Sequence, residues 1–217
     1  MDIGRVQPSV LQDWNMAERT LASGFQAVHD GYGFDSDLVD ILYKVHNVTQ
    51  HMNIVNPPKS EIIPIRLRKI IRSVQYDFLV RENYHDISSS GHQLLQACRI
   101  GVMLYVGLIQ NEFWVSPINK KLIWNLKSCL ESQTFATNSL RALRLWLLFL
   151  AGSLALEPTE KLWVVCYVAQ TVSQLSLSNW SDAKSLLETF AWAGRIQDKS
   201  GQDLWNEAMR VQRYLQA

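Results

Sequence analysis

Charged residues are scarce in this chain of 217 residues, and the two signs nearly balance. Asp, Glu, Lys and Arg make up 19 % of the sequence, whereas apolar residues make up 47 %. In soluble domains about a quarter of the residues are usually charged. We therefore expect a large buried fraction, an apolar cavity or an apolar interface. The formal net charge is +1. Because no broad positive field attracts a phosphate backbone, we expect no direct nucleic-acid binding.

Cysteine and histidine are few, and their spacing does not suit a metal site. Cys98, Cys129 and Cys166 are far apart and sit among apolar residues, where a free cysteine behaves as a small hydrophobe. His46 and His51 are five residues apart on one predicted helix, one residue more than the spacing that brings two ligands together. We expect two partly exposed histidines there, no metal, and no cofactor elsewhere.

Recognisable catalytic and targeting motifs are also lacking. No glycine-rich loop follows a strand and no serine-centred elbow occurs; His85 beside Asp86 is the one loop pair suited to acid–base chemistry. The N-terminus has no hydrophobic signal segment, and the long apolar run falls short of the roughly 20 residues that cross a bilayer. We therefore expect an intracellular protein, cytoplasmic or nuclear, that does not bind membranes.

The chain is organised around an apolar run at residues 140–156. From Leu145 onward Ser153 is its one polar residue, and a helix that is apolar on every side leaves no face for water. A second helix is predicted at residues 92–110, and after Arg99 it too is apolar on nearly every side. We expect these two helices to pack together at the centre of an all-α fold, a multi-helix orthogonal bundle of about nine helices.

Helical spacing of apolar residues predicts the other helices, and no stretch alternates as a strand would. They are predicted at residues 9–30, 36–52, 65–81, 120–132, 158–175, 182–192 and 202–215. Consecutive prolines at Pro57 and Pro58 mark a candidate hinge near residues 53–60 within a single domain, residues 1–217. The predicted helix caps are Asp35 or Ser36, Thr137 or Asn138, and Ser178 or Ser181.

Four hydrophobic segments in the second half resemble a known family. They are Ala97–Ile100 running into Leu104–Tyr105, Leu145–Gly152, Trp180 ahead of Phe190–Trp192, and Gly201–Trp205. In this order and at these intervals they resemble the C-terminal regulatory domain of fungal-specific transcription factors. The resemblance covers roughly residues 90 to 210, and more loosely the whole chain. It implies an all-helical fold and a regulatory role.

The chain departs from that family in one respect. Members usually carry an N-terminal zinc binuclear cluster of closely spaced cysteines that binds DNA, and no such cluster occurs here. The chain is therefore either a regulatory domain cut from a longer protein or a stand-alone relative without the DNA reader. Because the sequence begins with its own Met1, we expect the second.

Five side chains are the candidate ligand contacts. Arg99 and Arg144 are charges within apolar helices, where an unpaired charge is costly; each pairs with a carboxylate or a helix C-terminus, or meets a polar ligand group. Tyr105 needs a hydrogen-bond partner if it is buried. Trp146 and Trp163 belong to a set of tryptophans that either pack in the core or line an aromatic pocket.

Three functions fit these observations. The first is binding of an apolar small molecule or a partner protein by a regulatory domain. The second is a cofactor-free cyclase or isomerase acting on a terpenoid or polyketide in fungal secondary metabolism, since such a reaction needs shape and one or two donors. The third is a homodimeric interaction module. Small-molecule binding or catalysis predicts an enclosed cavity between the helices at 92–110, 140–156 and 158–175. An interaction module predicts a filled core and an exposed apolar patch. The sequence assigns no catalytic residue.

Overall fold

The computed structural model describes residues 20–54, 69, 72, 90–110 and 117–216, and these residues are all-α, as predicted. They form eight α-helices and contain no β-strand. The helices are α1 (Ser23–Tyr32), α2 (Ser36–Ile54), α3 (Ser90–Gln110), α4 (Pro117–Leu130), α5 (Arg141–Leu154), α6 (Pro158–Gln174), α7 (Trp180–Glu188) and α8 (Gly194–Gln216). Two 3₁₀ turns, Gln133–Ala136 and Asn138–Leu140, connect α4 to α5.

The central helix is α5, which is formed by the long apolar run. Every residue from Leu143 to Gly152 is buried, and the helix contacts α1, α3, α4, α6, α7 and α8. The helix ends at Leu154, two residues before the predicted end, and Leu156 is 65 % exposed. The backbone is extended at Ala155. The helix could not continue through Glu157, because Pro158, the first residue of α6, disfavours helical geometry in the residue before it.

The second apolar helix, α3, packs directly on α5. A Cβ atom placed on Gly101 would lie 2.7 Å from the Trp146 ring and would also overlap the Leu147 side chain. By length and composition the stretch His92–Gln110 could cross a membrane, but 67 % of it is buried inside the fold. That burial is typical of the core helix of a folded domain.

The N-terminal part of the fold differs from the predicted pattern. Within the described part of the predicted helix at 9–30, residues 20–22 are not helical and α1 begins at Ser23. Gly24 accounts for this start: its N–H donates to the Thr189 carbonyl at 2.7 Å, and a Cβ there would lie 2.7 Å from the Phe190 ring. Residues 1–19 and 55–60, which include most of the candidate hinge, lie outside the described residues. So does the predicted helix at 65–81, except Lys69 and Arg72, which are helical and exposed.

The predicted caps are correct at one helix and wrong at two. Asp35 caps α2, since its Oδ1 accepts the Leu38 N–H at 2.7 Å. At α5 the N-cap is Leu140, with no side-chain cap, because the preceding residues form a 3₁₀ turn. At α7 the cap is Asn179, whose Oδ1 accepts the Asp182 N–H at 3.0 Å.

Three further helix boundaries differ from the predicted ones. α4 begins at Pro117 instead of residue 120, since proline is favoured at the first helical position. α7 runs from Trp180 to Glu188 instead of residues 182–192. α8 begins at Gly194 and continues through Gly201. There a Cβ would lie 2.8 Å from Trp180, so Gly201 serves close packing and does not break the helix.

Two cysteines are buried, and one is not. Cys98 and Cys129 are buried, but Cys166 is exposed, so the prediction of an apolar environment was wrong for this residue. Burial raises the pKa of Cys129 to about 11 and that of Cys98 still further. Because the thiolate is the reactive form, we expect one thiol per chain to react rapidly with an aromatic disulfide reagent at pH 8, and three in denaturant. Rapid reaction of two or three thiols in the native protein would contradict this arrangement.

Candidate functional site

Three of the five candidate ligand residues have partners inside the protein. Arg99 Nη2 donates to Asp35 Oδ2 at 2.8 Å, so this arginine is paired with a carboxylate. Tyr105 is fully buried, and its hydroxyl lies 2.6 Å from that of Thr49; burial raises the Tyr105 pKa. Trp146 Nε1 donates to the Ala191 carbonyl at 2.8 Å. Their polar groups are therefore accounted for by the fold.

The aromatic residues near α5 pack in the core. The Trp146 ring lies 5.1 Å from Phe25, edge to face, and 5.9 Å from Phe190. Trp180 lies 6.3 Å from Trp192. Edge-to-face and offset arrangements at such distances are favourable packing geometries. Among the described residues, therefore, aromatic side chains fill the space between α5 and the α1 and α7 segments, and Gly101 of α3 lies against Trp146 and Leu147. The small-molecule and enzyme hypotheses expected an enclosed cavity between α3, α5 and α6.

The remaining two candidates, Arg144 and Trp163, come together around one tyrosine. The Arg144 guanidinium carbon lies 4.9 Å from the centre of the Tyr167 ring. The centre of the Trp163 ring lies 5.3 Å from that of Tyr167, and both residues belong to α6. The Tyr167 hydroxyl donates to Glu131 Oε1 at 3.4 Å. We call Arg141, Arg144, Trp163 and Tyr167 the Tyr167 cluster.

Buried donors without acceptors are concentrated in the Tyr167 cluster. The Nε atoms of Arg141 and Arg144 and the Nε1 atom of Trp163 are buried without a hydrogen-bond partner. Arg144 is only 7 % exposed. Among the described residues no carboxylate pairs with it, and its guanidinium lies over the Tyr167 ring. Burial lowers the pKa of Arg144; the Tyr167 group opposes this shift, and Arg141 adds to it.

Arg144 has a weaker stabilising partner than Arg99. Burying an ion costs several kcal/mol even after relaxation of the surroundings. A cation–π contact returns about 0.5–2 kcal/mol. The paired Arg99 does not carry this deficit, because Asp35 neutralises it. Arg99 thus has a carboxylate partner, whereas Arg144 contacts a ring. The sequence allowed the same alternatives for both arginines.

Next to the Tyr167 cluster lies an open groove between α4 and α6. Its volume is about 120 Å³, and we call it the tryptophan groove; it is lined by Ile123, Trp124, Lys127, Thr159, Glu160 and Trp163. Trp124 is 68 % exposed. The Lys127 ammonium lies 5.9 Å from the Trp124 ring and 5.6 Å from the Trp163 ring. Exposed Trp124 and half-buried Trp163 thus line the same groove.

Sequence reasoning grouped Trp124 with the other tryptophans and missed its exposure. A signal was present, because the apolar face of α4 is formed by Leu122, Leu126 and Cys129, which are all buried. Trp124 lies two residues from Leu122 and from Leu126, which places it off that face. A large aromatic side chain off the buried face of an amphipathic helix is a candidate contact residue.

A larger groove lies between the turn after α6 and helix α8. Its volume is about 560 Å³, and it is lined by Leu177, Ser178, Trp205, Asn206, Met209, Arg210, Gln212 and Arg213. Trp205 is buried, whereas Arg210 and Arg213 are exposed. Neither arginine forms an ion pair with the described residues.

The histidines give no metal site in the part of the chain that the structure describes. No group of three or more His, Cys, Asp or Glu side chains is arranged there to hold an ion. His46 and His51 are half-buried, and burial lowers the pKa of each. The loop pair of His85 and Asp86 lies outside the described residues.

The candidate site is therefore the α4–α6 surface with the Tyr167 cluster beneath it. This surface combines an exposed tryptophan, a side-chain-sized groove and unpaired buried donors. Residues with such unmet interactions are candidates for contacts with another molecule. No protein-family model matches the chain, and no curated protein or solved structure is significantly similar to it.

Proposed function

We propose that this chain is a regulatory protein-binding domain, a relative of the fungal transcription-factor regulatory domain, that binds a partner protein and does not itself bind DNA. The kinship rests on the order of the four hydrophobic segments, and the all-helical fold is the one that this resemblance implies. The observation that carries the binding role is the exposed Trp124 beside the tryptophan groove.

The size of the tryptophan groove favours a protein over a small molecule. Ligand pockets usually measure about 300–1,000 Å³, whereas this groove measures about 120 Å³. An engineered cavity of about 150 Å³ holds a single benzene ring. The groove therefore suits one apolar side chain of a partner. Tryptophan is also among the residues that most often dominate binding energy at protein interfaces.

The charge of α4 defines the partner further. The helix contains three lysines and no Asp or Glu. Lys120 and Lys127 already lie 3.8 and 3.9 Å from Glu157 and Glu131, so the charge on the exposed stripe of Ile118, Lys121 and Trp124 is that of Lys121. A complementary partner is an amphipathic helix with an apolar anchor and acidic flanking residues. A second copy of this chain is a poorer fit, because two-fold pairing through this stripe would bring the lysines of both copies together.

Photo-crosslinking from position 124 tests this proposal. A photoreactive amino acid at position 124 is expected to capture one protein in cells of the source organism, and the same residue at position 214 is not. Tyr214 is the matched control, because it is 83 % exposed on α8. The captured protein is then purified for affinity measurements.

The affinity of the purified partner supplies the quantitative result. We expect Trp124→Ala to weaken binding by about 30-fold or more, since interface hot spots contribute about 2 kcal/mol or more. Tyr214→Ala should leave the Kd within about twofold. Equal weakening by both variants, or an unchanged Kd for Trp124→Ala, would contradict the proposal. Capture of a second copy of the chain would support the homodimeric module instead.

A second candidate function, small-molecule binding, is favoured by the groove beside α8. Its volume of about 560 Å³ lies within the usual range of ligand pockets, and buried Trp205 forms part of its wall. The cyclase alternative gains no support from the close α3–α5 contact. Native mass spectrometry of the purified protein tests this candidate. A bound compound that is lost in an Arg210→Ala/Arg213→Ala double variant would favour it, whereas a ligand-free mass would not.

A further inference from the structure

A third groove lies where the end of α1 meets the 3₁₀ turns before α5, beside the first turns of α3. Its volume is about 420 Å³. We call it the hydroxyl groove; it is lined by apolar Leu94 and Leu95 of α3 and by the polar side chains of Tyr32, Gln133, Thr134 and Thr137. None of the described residues that line it is charged.

Three hydroxyl groups meet at the edge of this groove. Helix α1 ends at Tyr32, because Gly33 has a φ of 72°, a conformation that favours glycine and ends helices. The Tyr32 Oη atom lies 2.6 Å from Ser139 Oγ and 3.1 Å from Thr137 Oγ1. Tyr32 is 42 % exposed, so a molecule in the groove can reach its hydroxyl from solvent.

The directions of these hydrogen bonds are fixed by the last hydroxyl in the chain. Thr137 Oγ1 donates to the Thr134 carbonyl at 3.2 Å. Since a hydroxyl has one hydrogen and two lone pairs, Tyr32 must donate to Thr137, and Ser139 must donate to Tyr32. All three hydrogens are therefore used within the chain, and the three oxygens can only accept further bonds. A group that binds to them must supply a hydrogen.

We propose that the hydroxyl groove binds a neutral small molecule whose hydroxyl group donates to the Tyr32–Thr137 pair and whose rings lie on Leu94 and Leu95. An ionised ligand fits poorly, because no lining side chain would compensate for the loss of its hydration. The volume lies within the usual range of about 300–1,000 Å³ for ligand pockets. Since a cavity of about 150 Å³ holds one benzene ring, the groove has room for two fused rings.

This site goes beyond the partner-binding role proposed above. It is formed by α1, α3 and the 3₁₀ turns, whereas the tryptophan groove lies between α4 and α6. Either site can therefore fail its test without affecting the other.

Two probes that differ in one hydrogen-bond donor test the proposal. They are 2-naphthol and its methyl ether, which share the fused rings, and the Kd of each for the whole chain is measured by calorimetry. We expect 2-naphthol to bind about 3–10-fold more tightly than the ether, which is the effect of one net hydrogen bond. The anion 2-naphthoate should bind more weakly than either probe.

Three variants assign the difference to the hydroxyl groove. Tyr32→Phe keeps the ring but removes the hydroxyl, so the two Kd values should come within about twofold of each other. Tyr214→Phe is the matched control on α8, 83 % exposed, and should leave their ratio unchanged. Leu95→Ala should weaken both probes by about threefold or more through lost apolar contact and preserve the ratio.

Equal wild-type affinities for 2-naphthol and its ether would overturn the proposal, as would the absence of saturable 2-naphthol binding. A ratio that survives in Tyr32→Phe would also overturn it. The hydroxyl chain would then be a structural tether, whose loss lowers the Tm and leaves the ratio as it was. If Tyr32→Phe does not fold, Thr137→Val supplies the same test, because it breaks the chain at an exposed position.

Discussion

Replacing Trp146 by alanine is expected to lower the free energy of unfolding by about 3–5 kcal/mol. The indole is fully buried at the centre of the fold. It packs on Phe25 and Phe190, and its Nε1 donates to the Ala191 carbonyl at 2.8 Å. The substitution leaves a cavity and also an unpaired carbonyl. Urea unfolding followed by far-UV circular dichroism measures the change.

The conservative substitution Trp146→Phe separates the two contributions. It keeps most of the ring volume but removes the donor to Ala191, so we expect a loss of about 1–2 kcal/mol. Equal losses for phenylalanine and alanine would assign the effect to the hydrogen bond. A loss below about 1 kcal/mol for Trp146→Ala would contradict the central place of this ring in the core.

The second large effect is expected at the contact between the two apolar helices. A Cβ at Gly101 would lie 2.7 Å from the Trp146 ring and would overlap Leu147. Alanine there must displace a buried ring in a close-packed interior, so Gly101→Ala is expected to destabilise the protein by about 1–3 kcal/mol. The shift in the urea midpoint at constant m-value measures it.

Gly31→Ala is the matched control, because the substitution is chemically identical and also falls in a helix. Nothing lies within 4 Å of a Cβ at Gly31. Without an overlap, alanine stabilises a helix by up to about 0.5–1 kcal/mol relative to glycine. The two variants should therefore have opposite signs. A neutral or stabilising Gly101→Ala would show that α3 and α5 are not in close contact.

The sequence predicted the helices well where composition alone decides burial. The run that forms α5 has almost no polar residue, so every arrangement must cover all its faces. Ends were predicted less well, because they depend on contacts distant in sequence. Gly201 was expected to precede the last helix, but the rings of Trp180 and Trp192 press on it from another part of the chain. Local pattern carries no information about that packing.

The site was predictable only in part for the same reason. The sequence identified Arg99 and Arg144 as charges within apolar helices, but it did not show which has a partner. Asp35, the partner of Arg99, lies 64 residues earlier in the chain. The exposure of Trp124 follows from the register of α4 against the core, which the helical pattern already contained. The tryptophan groove required α4 and α6 to be adjacent, which the pattern did not predict.

Hydrogen exchange in the chain alone and in complex with the protein captured at position 124 tests the central claim most directly. We expect slower exchange in peptides from α4 and from the first half of α6, which line the tryptophan groove. Peptides covering residues 205–213 of α8, which line the larger groove, should be unchanged. Protection confined to residues 205–213, with none in α4, would contradict the account and place the binding surface at the α8 groove.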